Sequence, residues 1–356
     1  MGGRGVPSCS SVPTPWKGAT KSFHTPPLSQ PPTVWRATYT VSKLELLNFS
    51  GVYKYFRDPG GGFVTAVDGV DLAIQENEVI ALVGESGSGK TTLGRLSVRL
   101  VEPSRGKILF EGRGLEGIRR EELWRRAQYI HQDPYSSLDP YLTVGEVLDR
   151  PLRYLLGVGD PKETAEMVSG FLDKIGMHHI APTTRINRLS GGERQRILVS
   201  RAFIIKPKFV AADEPTTMVD FIHRNEVLNL LLELKKESGS SILFITHDLS
   251  LASHIADRVV IMHSGKIVEM GSRADVVQNP LHPYTQALFS VTPDKLLGQK
   301  ETPRILAKPI PRYLNPSTLG CKYASNCPYV FERCRRETPT LIDVGKGHFV
   351  SCFKYG

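Results

Sequence analysis

Val79-Ile80-Ala81-Leu82-Val83 runs directly into Gly84-Glu85-Ser86-Gly87-Ser88-Gly89-Lys90-Thr91. Five apolar residues in a row, three of them β-branched, predict a strand buried on both faces, since a half-exposed strand would alternate apolar and polar positions. The next eight residues fit the pattern G-x-x-x-x-G-K-[ST]. Gly84, Gly87 and Gly89 allow backbone N–H groups to turn inward around phosphate oxygens. A helix predicted over 91–100 adds the positive end of its dipole to the same place. Lys90 is placed to reach the outer phosphates, and the Thr91 hydroxyl to bind Mg²⁺. Ser86 and Thr92 belong to the same candidate site.

Outward from this loop, apolar runs at 209–212, 242–245 and 259–262 read as further buried strands. Helical patterns fill 193–205 and 223–237. Strands alternating with helices predict a parallel α/β sheet covered on both faces. The stretch from about 132 to 188 reads as mostly helical and interrupts that rhythm, so it is expected to be an inserted helical subdomain.

One of these strands ends in two acids, Phe209-Val210-Ala211-Ala212-Asp213-Glu214. Carboxylates at the C-terminal end of a buried parallel strand face the ligand crevice. Asp213 is placed to hold Mg²⁺, and Glu214 to polarise a water attacking the γ-phosphate. A third element, Leu189-Ser190-Gly191-Gly192-Glu193-Arg194-Gln195-Arg196, opens another helix. Read alone it is either an N-cap with a glycine turn or a second anion site.

The order of these motifs resembles the ATP-binding subunits of ABC transporters over about residues 43–286, and 189–195 resembles their signature sequence. The resemblance implies an ABC ATPase core with an antiparallel β-subdomain near its start and the helical subdomain already described. It also implies roles. Gln132 matches the glutamine that touches Mg²⁺ and the transmembrane partner. Asp220, in Thr217-Met218-Val219-Asp220, matches the D-loop aspartate. His247 matches the switch histidine at the γ-phosphate. Phe56 is the expected adenine-stacking residue, with Tyr55 and Tyr53 as alternatives. Two such subunits face head to tail in this family, so Ser190, Gly191 and Gly192 are expected to contact nucleotide held by a partner. Residues 84–95, 132–138 and 279–285 resemble the second ATPase subunit of dipeptide/oligopeptide importers. Such a subunit implies a homologous ATPase as heterodimer partner, two transmembrane permease subunits and an extracytoplasmic solute-binding protein. It also implies a place on the cytoplasmic side of the cell membrane. Relatives of this class carry oligosaccharides or nickel as well as peptides.

Cys321, Cys327, Cys334 and Cys352 fall in the last part of the chain, expected as a small module over 287–356. Their surroundings resemble the C-terminal extension of peptide-importer ATPases, which implies a [4Fe–4S] cluster. Zinc, or no metal with disulfides as one form, are the alternatives. Cys9 is read as incidental.

Composition bounds the rest. The chain has 356 residues, 40% apolar and 23% charged, an ordinary globular balance. No run approaches the roughly 18 apolar residues of a membrane span. The net charge of +9 is uneven: residues 1–40 hold four bases and no acid, residues 287–356 eleven bases and five acids, and the 246 between thirty bases against thirty-one acids. A near-neutral central domain argues against a nucleic-acid protein, which would show a basic stripe on its folded body. Residues 1–40, rich in Pro, Ser and Thr, are expected to be a disordered tail.

Overall fold

The computed structural model describes residues 45–59, 61–290 and 319–356, side chains at 221 and 222 excepted. The expected tail over 1–40 lies outside these residues.

Among them the strands are β1 (Glu45–Arg57), β2 (Phe63–Gln75), β3 (Val79–Val83), β4 (Arg105–Phe110), β5 (Arg113–Gly114), β6 (Ala127–Ile130), β7 (Phe209–Asp213), β8 (Ser241–Thr246), β9 (Arg258–His263), β10 (Lys266–Ser272), β11 (Ile342–Asp343) and β12 (Phe349–Val350). The first sheet is antiparallel, in the order β2-β1-β4-β5. The second runs β11-β12-β10-β9-β3-β8-β7-β6. From β9 to β6 its strands are parallel, as the apolar runs predict. Strands β10, β12 and β11 extend it as an antiparallel edge.

The helices are α1 (Lys90–Ser97), α2 (Arg120–Arg126), α3 (Pro134–Ser137), α4 (Val144–Pro151), α5 (Pro161–Lys174), α6 (Gly191–Phe203), α7 (Phe221–Ser238), α8 (Leu249–Ile255), α9 (Arg273–Gln278), α10 (Pro283–Ser290) and α11 (Glu332–Arg336). Three of them, α3 to α5, fill the predicted helical insertion. Thr143 and Glu146 cap α4 reciprocally, and Asp160 caps α5. Helix α1 stops at Ser97, short of the expected 100. Arg99 there takes a left-handed φ of 56°. Its guanidinium donates to the Leu115 and Ile118 carbonyls, which turns the chain out of the helix.

The period-2 geometry of the buried strands feeds separate cores. Ile80, Leu82, Leu243 and Ile245 face the antiparallel sheet and α1. Val210, Ala212, Ile242 and Phe244 face α6, α7 and the helical insertion. Ala81, Val83, Val259 and Ile261 pack beneath α8, α9 and α10.

The C-terminal stretch differs from the separate module expected over 287–356. Of that range, 291–318 lies outside the described residues. Past 318, β12 pairs with β10 through Glu269↔Val350 and Met270↔Phe349. The described residues cluster as one unit. The reason is local chemistry: β10 presents an open edge, and Phe349 and Val350 cover it with buried side chains.

Candidate functional site

Strands β3, β8, β7 and β6 are neighbours and parallel, so their C-terminal ends open on one side of the sheet. The phosphate loop follows β3, His247 follows β8, Asp213 ends β7 with Glu214 next, and Gln132 lies two residues beyond β6. The topology therefore gathers four motifs dispersed over more than a hundred residues into one crevice.

The loop is shaped by close backbone approach. A Cβ on Gly84 would lie 2.1 Å from the Met262 carbonyl oxygen, and one on Gly89 2.1 Å from that of Ala66. Gly89 also adopts a φ of 105°, which L side chains rarely reach. Lys90 is buried, and its Nζ donates to the carbonyls of Gly84 at 2.7 Å and Glu85 at 2.8 Å. Burial lowers its pKa, opposed by the charges of Glu214, Asp213 and Glu85. An incoming phosphate would replace those carbonyls as the partner of a partly desolvated ammonium. Ser86 is exposed on the loop, and Thr92 is half-buried in the first turn of α1.

Asp213 is 2% exposed and accepts hydrogen bonds from Tyr129 Oη at 2.7 Å and Thr91 Oγ1 at 3.2 Å. Desolvation raises its pKa, while the two donors lower it. Thr91 and Asp213 thus supply adjacent hard oxygen atoms, a donor set suited to Mg²⁺. Glu214 accepts from Gln132 Nε2 at 2.9 Å and from Thr217 Oγ1 at 2.9 Å, and its other oxygen lies 3.1 Å from His247 Nδ1. Glu214 takes a left-handed φ of 45°, held by its N–H donating to the Ile245 carbonyl at 2.9 Å. A non-glycine residue in that region is strained, and such strain collects at functional sites.

Tyr129 was not singled out from sequence. The available signal is a phenol inside the short apolar strand β6, where a buried hydroxyl requires a partner.

The remaining expected residues lie at other places. Ser190 is the N-cap of α6 and exchanges hydrogen bonds with Glu193 in a capping box. Gly191 adjoins Tyr135 and Met218, and Gly192 adjoins His223. Asp220 accepts from the His223 N–H and lies 2.8 Å from its Nδ1. Phe56, on β1, is 42% exposed beneath Lys54 Nζ, whereas Tyr53 turns its hydroxyl toward Gly69 of β2.

Cys321, Cys327, Cys334 and Cys352 are free thiols that line one cavity with His282 and Tyr323. Burial pushes Cys321 up to about 11 and raises Cys327 and Cys352 as well. The soft donor set suits a metal centre. The arrangement does not, since among the described residues no three His, Cys, Asp or Glu side chains are grouped to hold one ion. The disulfide alternative is not met either.

Residues 67–217 match the ABC transporter family, and residues 268–334 match the oligopeptide/dipeptide transporter C-terminal region. A probable peptide ABC transporter ATP-binding protein of Sinorhizobium fredii is 37% identical over 318 residues, covering 86% of this chain and 89% of that protein. The chain belongs to the ABC ATP-binding proteins of this oligopeptide/dipeptide branch. A putative peptide import ATP-binding protein of Brucella ovis is 37% identical over 88% of this chain and 99% of its own length. The oligopeptide transport ATP-binding protein AppF of Bacillus subtilis is 36% identical over 87% and 97%. A dimeric ATP-binding cassette in a post-hydrolysis state, bound to ADP and Pi, superposes with a TM-score of 0.58 at 25% identity, over 64% of this chain and 98% of that one. The chain is an ABC-type ATPase, and its mixed α/β core with an antiparallel sheet is the ABC cassette fold. Among the described residues no helix is long and apolar enough to cross a membrane.

Proposed function

We propose that this chain is the ATP-hydrolysing motor of an importer for di- and oligopeptides, working on the cytoplasmic face of the cell membrane. The observation that carries this reading is the joining of an ABC transporter match over 67–217 to a C-terminal region of the oligopeptide/dipeptide type over 268–334. Its partners are a homologous ATPase subunit in a heterodimer, two transmembrane permease subunits and an extracytoplasmic solute-binding protein. Nucleic acid is not among them, in keeping with the near-neutral body of the chain.

In this reading Phe56 stacks on adenine. The loop N–H groups from Gly84 to Thr91, with Thr92, cradle the phosphates, and Lys90 neutralises their charge. Thr91 and Asp213, with Gln132 nearby, would hold Mg²⁺, which would supply positive charge to offset that of the phosphates. Glu214 takes a proton from water as the water oxygen bonds to the γ-phosphorus. The bond from phosphorus to the bridging oxygen breaks, and ADP leaves with that electron pair. His247 and Gln132, which now hold Glu214, are positioned to sense the γ-phosphate and to release the carboxylate for this role. Ser190, Gly191, Gly192 and Asp220 face nucleotide on the partner subunit, so closure of the pair completes each site. The helical insertion passes that closure to the membrane subunits.

The test of the function is ATP turnover by the complex purified with its membrane and binding-protein partners. Stimulation by di- and oligopeptides is expected. Stimulation by oligosaccharides or nickel alone would keep the motor and overturn the cargo. If no membrane subunit co-purifies and no cargo stimulates, the transport reading falls to that of a soluble ABC ATPase.

A further inference from the structure

Tyr284 lies 199 residues from Glu85 in sequence, yet its hydroxyl oxygen accepts a hydrogen bond from the Glu85 N–H at 3.0 Å. That N–H belongs to the same peptide unit as the Gly84 carbonyl, which accepts from Lys90 Nζ at 2.7 Å. One peptide plane at the root of the phosphate loop is therefore gripped at both ends.

The phenol that grips it is itself fixed. Tyr284 is 1% exposed. Its ring centroid lies 4.2 Å from that of His263 and 5.5 Å from that of Tyr323. Its own N–H donates to His282 Nδ1 at 3.0 Å. The N–H of His282 in turn donates to the buried carboxylate of Glu269 on β10 at 2.8 Å. Tyr284, His282, Glu269 and Tyr323 lie within residues 268–334, the C-terminal region, and His263 ends β9, so the loop is held from beyond residues 67–217.

We propose that Tyr284 is a positioning residue of the ATP site: its hydroxyl sets the plane of the 84–85 peptide, and through it the seat of Lys90. The C-terminal region thereby becomes part of phosphate binding. This rests on the ATPase assignment and is independent of the cargo. Without the hydroxyl the Glu85 N–H has no partner, the peptide is free to rotate, and Lys90 loses its aim.

The cluster contains its own control. The Tyr323 hydroxyl is buried beside Tyr284 and, among the described residues, has no hydrogen-bond partner. Full-length Tyr284→Phe and Tyr323→Phe make the same chemical change at neighbouring rings. Binding of MgATP, followed with a fluorescent ATP analogue, is expected to weaken about 5- to 20-fold in Tyr284→Phe. Tyr323→Phe is expected to bind as the parent does, and both to melt within about 2 °C of it. Amide hydrogen exchange adds a readout that general loosening would not mimic: the Glu85 amide should exchange faster in Tyr284→Phe while amides of α7 keep their rates. Parental affinity in Tyr284→Phe, equal weakening in both variants, or faster exchange throughout the chain would each overturn the proposal.

Discussion

Glu214 is held by three side chains, with Gln132 and Thr217 on one oxygen and His247 beside the other. In the proposed mechanism Glu214 exchanges these partners before it meets a water, which would link its activity to the arrival of phosphate at Gln132 and His247. Asp213 is a different case, because its partner Tyr129 is built into the core. Replacing Tyr129 with Phe removes one of two donors from a buried carboxylate. The expected result is a loss of about 1–2 kcal/mol in urea unfolding and a higher Mg²⁺ requirement for nucleotide binding. Unchanged stability and an unchanged Mg²⁺ titration would show that Tyr129 is passive. At Gly89 the constraint is steric: Gly89→Ala places a methyl against the Ala66 carbonyl at a φ of 105°. Nucleotide binding should be lost, as measured by calorimetric titration, even where the fold survives.

At the scale of elements, the antiparallel edge of the large sheet decides how the C-terminal stretch is held. Glu269 on β10 is fully buried, accepts from the N–H groups of Leu281 and His282, and lies 2.8 Å from His348 Nε2. A buried carboxylate with all its partners joins β10, the start of α10 and the β11–β12 turn. His348→Ala leaves one of its oxygens short of a partner and should cost about 1–3 kcal/mol in chemical unfolding. A chain ending at 318 should be less stable still, because it also uncovers the β10 edge. Wild-type stability of the truncated chain would mean that the C-terminal stretch folds apart from the sheet. These contacts explain what sequence reading missed. The phosphate loop, the Asp213–Glu214 pair and the parallel strands are local patterns, legible in a few consecutive residues. The pairs Tyr129–Asp213, Glu269–His348 and Glu85–Tyr284 are separated by 84, 79 and 199 residues, and only the folded sheet brings them together. The four thiols show the opposite limit: their gathering in one cavity agrees with a motif, but their spacing fixes no ligand geometry.

For the whole molecule, the buried histidines beneath the phosphate loop give stability a pH dependence. Burial lowers His282 to about 3 and His263 to about 4, with the neighbouring imidazole adding to the effect at His282. Both rings stay neutral in the folded chain while the unfolded chain takes up protons near pH 6.5. Between those values the unfolded state binds more protons, so stability falls as the pH falls, by up to about 1.4 kcal/mol per pH unit for each histidine. His282→Asn keeps a short acceptor for the Tyr284 N–H but does not titrate. Its unfolding free energy should lose less between pH 6.5 and 4.5 than that of the parent. An equal loss in both proteins would remove His282 as a source of the dependence.

The central claim is that Glu214, between Gln132 and His247, is the base of an ATP-hydrolysing site. ATP occupancy and turnover measured together, in the parent and in Glu214→Gln within the complete complex, test it most directly. The variant should retain bound ATP in a closed ATPase pair while turnover falls by at least about a hundredfold. Turnover near that of the parent, with ATP bound equally in both, would contradict it.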